Sequence, residues 1–346
     1  MKKYLLFVFG VWIMIVALKG DDETKFRIPK NWPKPVYEFN KNPLNKDKIL
    51  LGRALFYDPV LSADSTISCT SCHLQYTAFT HVDHTLSHGI NGRIGTRNAP
   101  ALTNMAWGTL FMWDGAVNHL DMQPLAPISH PDEMGSNIDT VLFRLRRSSI
   151  YPSLFYKAFK DSAITGEHFL KAMSQFMLTI VSSNAKYDQV MRKEKGIAFT
   201  SQEANGYRLF RTYCESCHKE PLFTINDFRN NGLSVDTTLN DYGRIKITHD
   251  SKDSLCFKVP SLRNVEFSYP YMHDGRFATL QQVINHYTTS IQHSATLSPL
   301  LDKPIFLTAN EKVDMVAFLL TLTDKEFLFN RAYTFPKEIF MSAPKE

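Results

Sequence analysis

Two short cysteine motifs constrain this chain more than any other feature. Cys69-Thr-Ser-Cys72-His73 and Cys214-Glu-Ser-Cys217-His218 both have the form C-x-x-C-H, the pattern for covalent attachment of a c-type haem. The thiols bond the porphyrin vinyl groups, and the adjoining imidazole supplies the proximal iron ligand. Disulfides are the first alternative for cysteines in an exported chain, and a zinc site is the second. A His placed directly after each C-x-x-C favours haem over both. The sequence therefore predicts two covalently bound haem c groups, held by Cys69, Cys72 and His73 and by Cys214, Cys217 and His218. Cys256, the fifth cysteine, has no following His and reads as a small buried hydrophobe.

With 346 residues, the chain suffices for about two domains at roughly 100–200 residues each. The hydrophobic fraction of 44% provides for a sizeable core, and the formal charge of +5 is modest. No Lys/Arg cluster with interleaved aromatics points to nucleic acid. Lys2 and Lys3 precede the apolar run 5–18, which reads as an export signal over residues 1–20. The run is shorter than the roughly 20 residues of a membrane span; an uncleaved anchor is the alternative.

The neighbourhood of each motif is repeated. Gly52-Arg-Ala-Leu-Phe56 precedes the first and Gly206-Tyr-Arg-Leu-Phe210 the second. Downstream, Pro100-Ala-Leu-Thr-Asn104 and Met112-Trp113-Asp114-Gly115 correspond to Pro260-Ser-Leu-Arg-Asn264 and Met272-His273-Asp274-Gly275, in register without a gap. This implies an internal duplication, with an N-terminal unit over 21–195 and a C-terminal unit over 196–346. Both are expected to be mainly helical. Thr200 to Glu203 and Thr308 to Glu311 have capping-box form. Val313, Val316, Leu319 and Leu320 predict one apolar helix face, and Phe169, Ala172, Phe176 and Ile180 another. The stretches near 89–100 and 124–136 read as ordered loops.

The repeat also allows the two haem sites to be compared. Pro127 stands to Trp113 as Tyr287 stands to His273. Proline has no side-chain donor for iron, whereas a tyrosine phenolate is a known axial ligand. One open, reactive haem in the N-terminal half and one closed haem in the C-terminal half follow, with His286 and Met272 as competing ligands at the second. Peroxide cleavage needs a group that moves a proton between the two oxygens. Glu133 is a candidate, Asp132 is equally plausible on chemistry, and Gln123 lies nearby.

These residues together resemble the bacterial dihaem cytochrome c peroxidase / MauG family across essentially the whole mature chain. The segments 52–59, 67–73, 97–100, 113–115 and 260–275 carry the resemblance. It implies two cytochrome c-like domains in tandem, commonly as a homodimer in the periplasm. It assigns Trp113 as an electron relay between haems, and Gln123 and Glu133 to the distal pocket, with Glu133 the acid/base. It also implies an interdomain calcium on Asn98, with carbonyls from Ser268 and Pro270. Tyr287 matches the MauG branch, whereas His88 resembles the displaceable distal ligand of typical peroxidases. Tyr213 is the one aromatic beside the second motif placed to serve a MauG-like hole transfer.

The expected activity is reduction of hydrogen peroxide to water with electrons from a small cytochrome c or copper protein. A MauG-like oxidase of a protein or aromatic substrate is the alternative, and a simple electron-transfer cytochrome the non-enzymatic one.

Overall fold

The computed structural model describes residues 25–341. The export signal expected over residues 1–20 lies outside the described residues. The fold is mainly helical, and its one named sheet pairs Phe228–Arg229 antiparallel with Phe257–Lys258. No helix among the described residues is long and apolar enough to cross a membrane.

Two helix pairs organise two apolar cores. Helix Lys46–Tyr57 packs on helix Gly166–Thr179, and helix Ser201–Tyr213 on helix Ala309–Leu320. Each crossing is close because a glycine sits at it. A Cβ on Gly52 would stand 1.9 Å from the Ala172 carbonyl oxygen, and one on Gly206 would stand 1.9 Å from that of Asp314. Any side chain there would force the backbones apart. The helices begin where local chemistry says. Thr200 accepts from the Glu203 amide while Glu203 caps Thr200 in return, and Thr308 and Glu311 repeat the arrangement.

The first core holds Leu51, Leu55, Phe56, Phe169 and Phe176, and the chain's last helices return to it with Phe327, Tyr333 and Ile339. The second holds Leu209, Phe210, Phe223 and Phe318. One expected face differs from the observed one. Helix Ala309–Leu320 buries Met315, Phe318 and Leu319, whereas Val313 and Leu320 are exposed. Close approach at Gly206 draws Phe318 into the seam and rotates those two outward. Of the expected loops, 124–136 contains the short helix Leu125–Ser129.

The repeated segments adopt matching backbone shapes. Asn104 and Asn264 both take left-handed conformations, with φ of 59° and 58°. The Asn104 amide donates to Ile180 O and that of Asn264 to Leu322 O, each just past the end of its partner helix. Both side chains then meet at buried Ser182. Asn104 bonds its backbone in both directions, and Asn264 donates to its hydroxyl. Met112 and Met272 share positive φ, and bridges Phe111 to Val117 and Tyr271 to Phe277 close equivalent loops.

Charged contacts join the halves. Arg97 donates from Nη1 to Asp114 at 2.6 Å and from Nε and Nη2 to Asp241 at 2.6 and 3.0 Å. This pairing holds Asp241 down to about 2, against the ordinary 3.8, although burial opposes it. Arg263, fully buried, pairs bidentately with Asp188 and stacks on Trp32.

Asp241 thus contributes stability that is fully present above pH 3.8 and is lost as pH falls toward about 2. Asp241→Asn should cost about 1–3 kcal/mol at neutral pH, because it removes one of the two carboxylates that pair the half-buried Arg97 guanidinium while Asp114 still holds it. Denaturant midpoints should show the gap to wild type closing below pH 3.8; a gap unchanged by acid would refute this account.

Candidate functional site

Both C-x-x-C-H segments follow the same local logic. In the first, Ala78 and Phe79 take left-handed φ of 58° and 60°, which turns the Phe79 carbonyl back onto the His73 ring. Nδ1 of His73 donates to that oxygen at 2.7 Å. In the second, left-handed Phe223 plays the same part, and His218 Nδ1 lies 3.2 Å from Phe223 O and 3.1 Å from Pro260 O. With Nδ1 occupied, Nε2 of each ring carries the lone pair a metal needs. Burial pushes His73 down to about 4 and lowers His218, so both rings are neutral near pH 7.

None of the five cysteines is in a disulfide. Burial pushes Cys69 and Cys214 up to about 12 and Cys72 up to about 11. Thiols so held in the protonated form are poorly suited to redox exchange. Cys256 is buried, as a small hydrophobe would be.

Around the second motif lies a cavity of about 320 Å³ with a largely apolar lining. Cys214, Cys217, His218, Met272 and Tyr287 line it, as do Trp113 and Gln123 from the first half. Asn98, Ser268 and Pro270 are also among its lining residues. Trp113 is fixed there: its Nε1 donates to Asn98 O at 2.8 Å, and its carbonyl accepts from Lys258 N at 2.7 Å. His273, its counterpart in the repeat, stacks on Phe257 with ring centroids 3.6 Å apart. Tyr287 is pushed up to about 12, first by burial and further by the thiols of Cys214 and Cys217, against a hydrogen bond from Asn231. His286 points elsewhere. Its Nε2 is spent on Asn231 O at 2.9 Å, and it does not line the cavity.

Around the first motif the geometry is tighter. Glu133 is raised above its ordinary 4.5, chiefly by burial and further by Asp132, against His130 and Arg97. Its charge in turn raises both Cys69 and Cys72, so the carboxyl and the thiols share one neighbourhood. The loop carrying His88 is packed onto this acid. Ile90 N donates to Glu133 O at 2.8 Å, and a Cβ on Gly89 would stand 2.4 Å from that oxygen. His88 itself is exposed, its ring stacked 4.0 Å from that of His84, which stacks 4.1 Å from His81.

His81, Asp83 and His84 bring ligand-type atoms within 4.8 Å of one another. The His81 tautomer argues against a metal there. Ala99 N donates to His81 Nε2 at 3.3 Å, which leaves the ring proton on Nδ1. His81 Nδ1 and His84 Nε2 are both buried without a hydrogen-bond partner. Together with Lys258, which lines the larger cavity and is pushed down to about 8 by burial alone, the His81 Nδ1–H offers a donor for the carboxylate side chains of a haem, whereas His84 donates from Nδ1 to Asp83 at 2.7 Å and keeps its Nε2 as an acceptor. The residues present therefore fit such a group at both motifs.

Sequence reasoning missed Asn231, Lys258 and the His81–His84 pair. Lys258 stands two residues before the repeated Pro260 segment, the one signal that was available. The others carry chemistry only through contacts made across the fold.

A mainly helical fold with two such C-x-x-C-H sites defines a dihaem c-type protein, and comparisons agree. The model of the di-haem cytochrome c peroxidase family matches residues 46–196. The methylamine utilization protein MauG of Methylorubrum extorquens is 35% identical over 319 residues, covering 89% of this chain and 85% of that one. The cytochrome c551 peroxidase of Nitrosomonas europaea is 34% identical, over 70% of this chain and 73% of its own. A crystal structure of a MauG-like protein associated with microbial copper homeostasis superposes with a TM-score of 0.81 at 32% identity, covering 90% of this chain and 99% of that one. The chain belongs to the di-haem cytochrome c peroxidase family, and membership implies haem c as its cofactor.

Replacing Cys214 and Cys217 by Ala should remove one of two covalently held haems. The check is the haem remaining with the denatured polypeptide, expected at about half the wild-type content; retention of both would contradict the assignment.

Proposed function

We propose that this chain is a periplasmic dihaem peroxidase that reduces hydrogen peroxide to water with electrons from a small cytochrome c or cupredoxin. The observation that carries this reading is the inequality of the two sites. Tyr287 lines the cavity beside Cys214, Cys217 and His218, while the corresponding Pro127 offers no donor and Glu133 stands close to Cys69 and Cys72. The matched geometry of Asn104 with Asn264 and of Gly52 with Gly206 supports two tandem units of common origin, 21–195 and 196–346, the last helices serving the first core.

A haem held at each motif would supply iron able to change oxidation state and to bind a small oxidant. The protein's own residues do the rest. His73 and His218 would each hold an iron through Nε2, and Tyr287 would supply a further ligand at the second motif. Glu133, ionised, takes the proton from the inner peroxide oxygen and returns it to the outer one as that oxygen leaves as water. Gln123 helps to orient the peroxide. Trp113, anchored at both its indole nitrogen and its carbonyl, is the relay between the halves. Asn98 spends its amide nitrogen on Thr85 O at 2.9 Å, which leaves its side-chain oxygen for calcium with the Ser268 and Pro270 carbonyls. His88 serves as the displaceable ligand that covers the first site at rest, its exposed side chain standing on a loop that Gly89 and Ile90 seat on Glu133. Pairing as a homodimer completes the reading.

Steady-state turnover of peroxide with reduced cytochrome c tests it. Glu133→Gln should lower kcat/KM by about 10²–10⁴-fold. Because Glu133 is raised above 4.5 and works as the carboxylate, wild-type kcat/KM should fall as pH drops through an apparent pKa above that value. That acid limb should be missing in Glu133→Gln; undiminished turnover by the variant would remove the assignment.

A MauG-like oxidase is the second reading, favoured by Tyr213. This residue precedes Cys214, lines the cavity and is 37% exposed, which suits an exit for oxidising equivalents toward a docked substrate. A long-lived oxidised state formed by peroxide without prior reduction, and quenched by an aromatic substrate, would favour it. EPR of oxidised and half-reduced protein should show one high-spin and one low-spin haem in at least one state. Two low-spin centres, unresponsive to cyanide in either state, would leave only an electron-transfer role.

A further inference from the structure

Asn231 sits in a turn fastened from several sides. The Asn230 amide nitrogen donates to Ser294 Oγ and Thr296 Oγ1, both at 2.9 Å, and its oxygen accepts from Gly232 N at 2.9 Å. His286 Nε2 lies 2.9 Å from Asn231 O, and Gln292 N donates to Gly232 O at 2.8 Å. Gly232 has φ of 72°, and a Cβ there would stand 2.5 Å from Ile291 Cγ2. The backbone at 231 is thereby given one position, and the side chain one direction.

That side chain points at two side chains able to bind iron. Asn231 Nδ2 lies 3.3 Å from the Tyr287 hydroxyl oxygen and 3.5 Å from Met272 Sδ. All three residues line the cavity with Cys214, Cys217 and His218. A phenolate oxygen and a thioether sulfur are both known axial ligands of haem iron. One amide carries two N–H groups and so can serve both acceptors. The acceptors are unequal, however: thioether sulfur accepts weakly, whereas an anionic oxygen takes a strong, charge-assisted bond. Partners one step removed from a metal commonly set which ligand atom is presented and how.

We infer that Asn231 is a positioning residue that makes Tyr287, rather than Met272, the ligand of the second haem iron, with Met272 held beside it as a reserve. This rests on the reading of Tyr287 as the axial ligand. The selection is energetic and geometric. The amide steadies the phenolate at the iron-facing position, and its weaker bond to sulfur keeps Met272 turned toward the amide. Without the donor, the phenolate loses that support and the sulfur is released to bind.

The test uses the dihaem holoprotein and reads spectra and potential rather than turnover. Asn231→Leu removes the donor at similar size. Its ferric second haem should lose the phenolate-to-iron charge-transfer band and gain a thioether-to-iron band. The ferric-over-ferrous preference should fall at least tenfold, which is an upward shift of about 59 mV for a one-electron couple. The new band should vanish in Asn231→Leu combined with Met272→Leu. Should Asn231→Leu fail to load haem, Asn231→Asp, which keeps the shape and sets a carboxylate against the phenolate, should show the same exchange. Persistence of the phenolate band in the variant that loads, whichever way its potential moves, overturns the inference. Tyr287→Phe is the separate control: if it leaves the second haem's spectrum unaltered, the axial assignment itself has failed.

Discussion

The guanidinium of Arg97 is the contact on which the rest of the arrangement leans. It joins Asp114, in the loop that presents Trp113, to Asp241 in the second half. Its backbone neighbour Asn98 accepts the Trp113 indole N–H and donates to His273 O. One ion-paired residue therefore fixes both walls of the cavity where the halves meet. Burying such a charge is expensive unless it is fully paired, and two carboxylates answer it. What the pairing secures is the relative placement of Trp113, Phe257 and His273, not a large net gain in stability.

Above that junction the chain uses the same local devices twice. A left-handed residue turns a carbonyl onto each proximal histidine, a glycine lets each helix pair close, and a left-handed asparagine ties each repeated loop to the end of a helix. These devices carry no chemistry of their own, so the two sites can diverge where it matters. The first half has a raised carboxyl on a residue whose backbone packs under a glycine-led loop. The second has a tyrosine and a methionine aimed at by one amide.

Much of this was legible in the residues because it depends on short-range chemistry. The haem motifs, the capping boxes at Thr200 and Thr308, the helix through Phe169 and Phe176, and burial of Cys256 need only neighbours in sequence or hydrophobic period. The face of the last long helix was misjudged. Val313 and Leu320 fit an apolar stripe, but the stripe that counts is the one facing Gly206, and that is a property of the partner helix. Asn231 was invisible for a similar reason, since an Asn before Gly reads as a turn, and its value lies in two acceptors far along the chain.

The sequence alone determined which atoms are available: four thiols in two C-x-x-C-H motifs, the imidazole that follows each, and a pair of matching segments in whose register Pro127 answers to Tyr287. Covalent attachment and ligand type follow from residue identity and spacing of a few positions, so no fold is needed to read them. Tertiary structure alone decided that His286 is spent on a backbone carbonyl, that the charge of Glu133 is felt at Cys69 and Cys72, and that Asn231 reaches both Tyr287 and Met272. Those facts depend on desolvation and on hydrogen bonds between distant segments, and such contacts exist only once the two cores have packed.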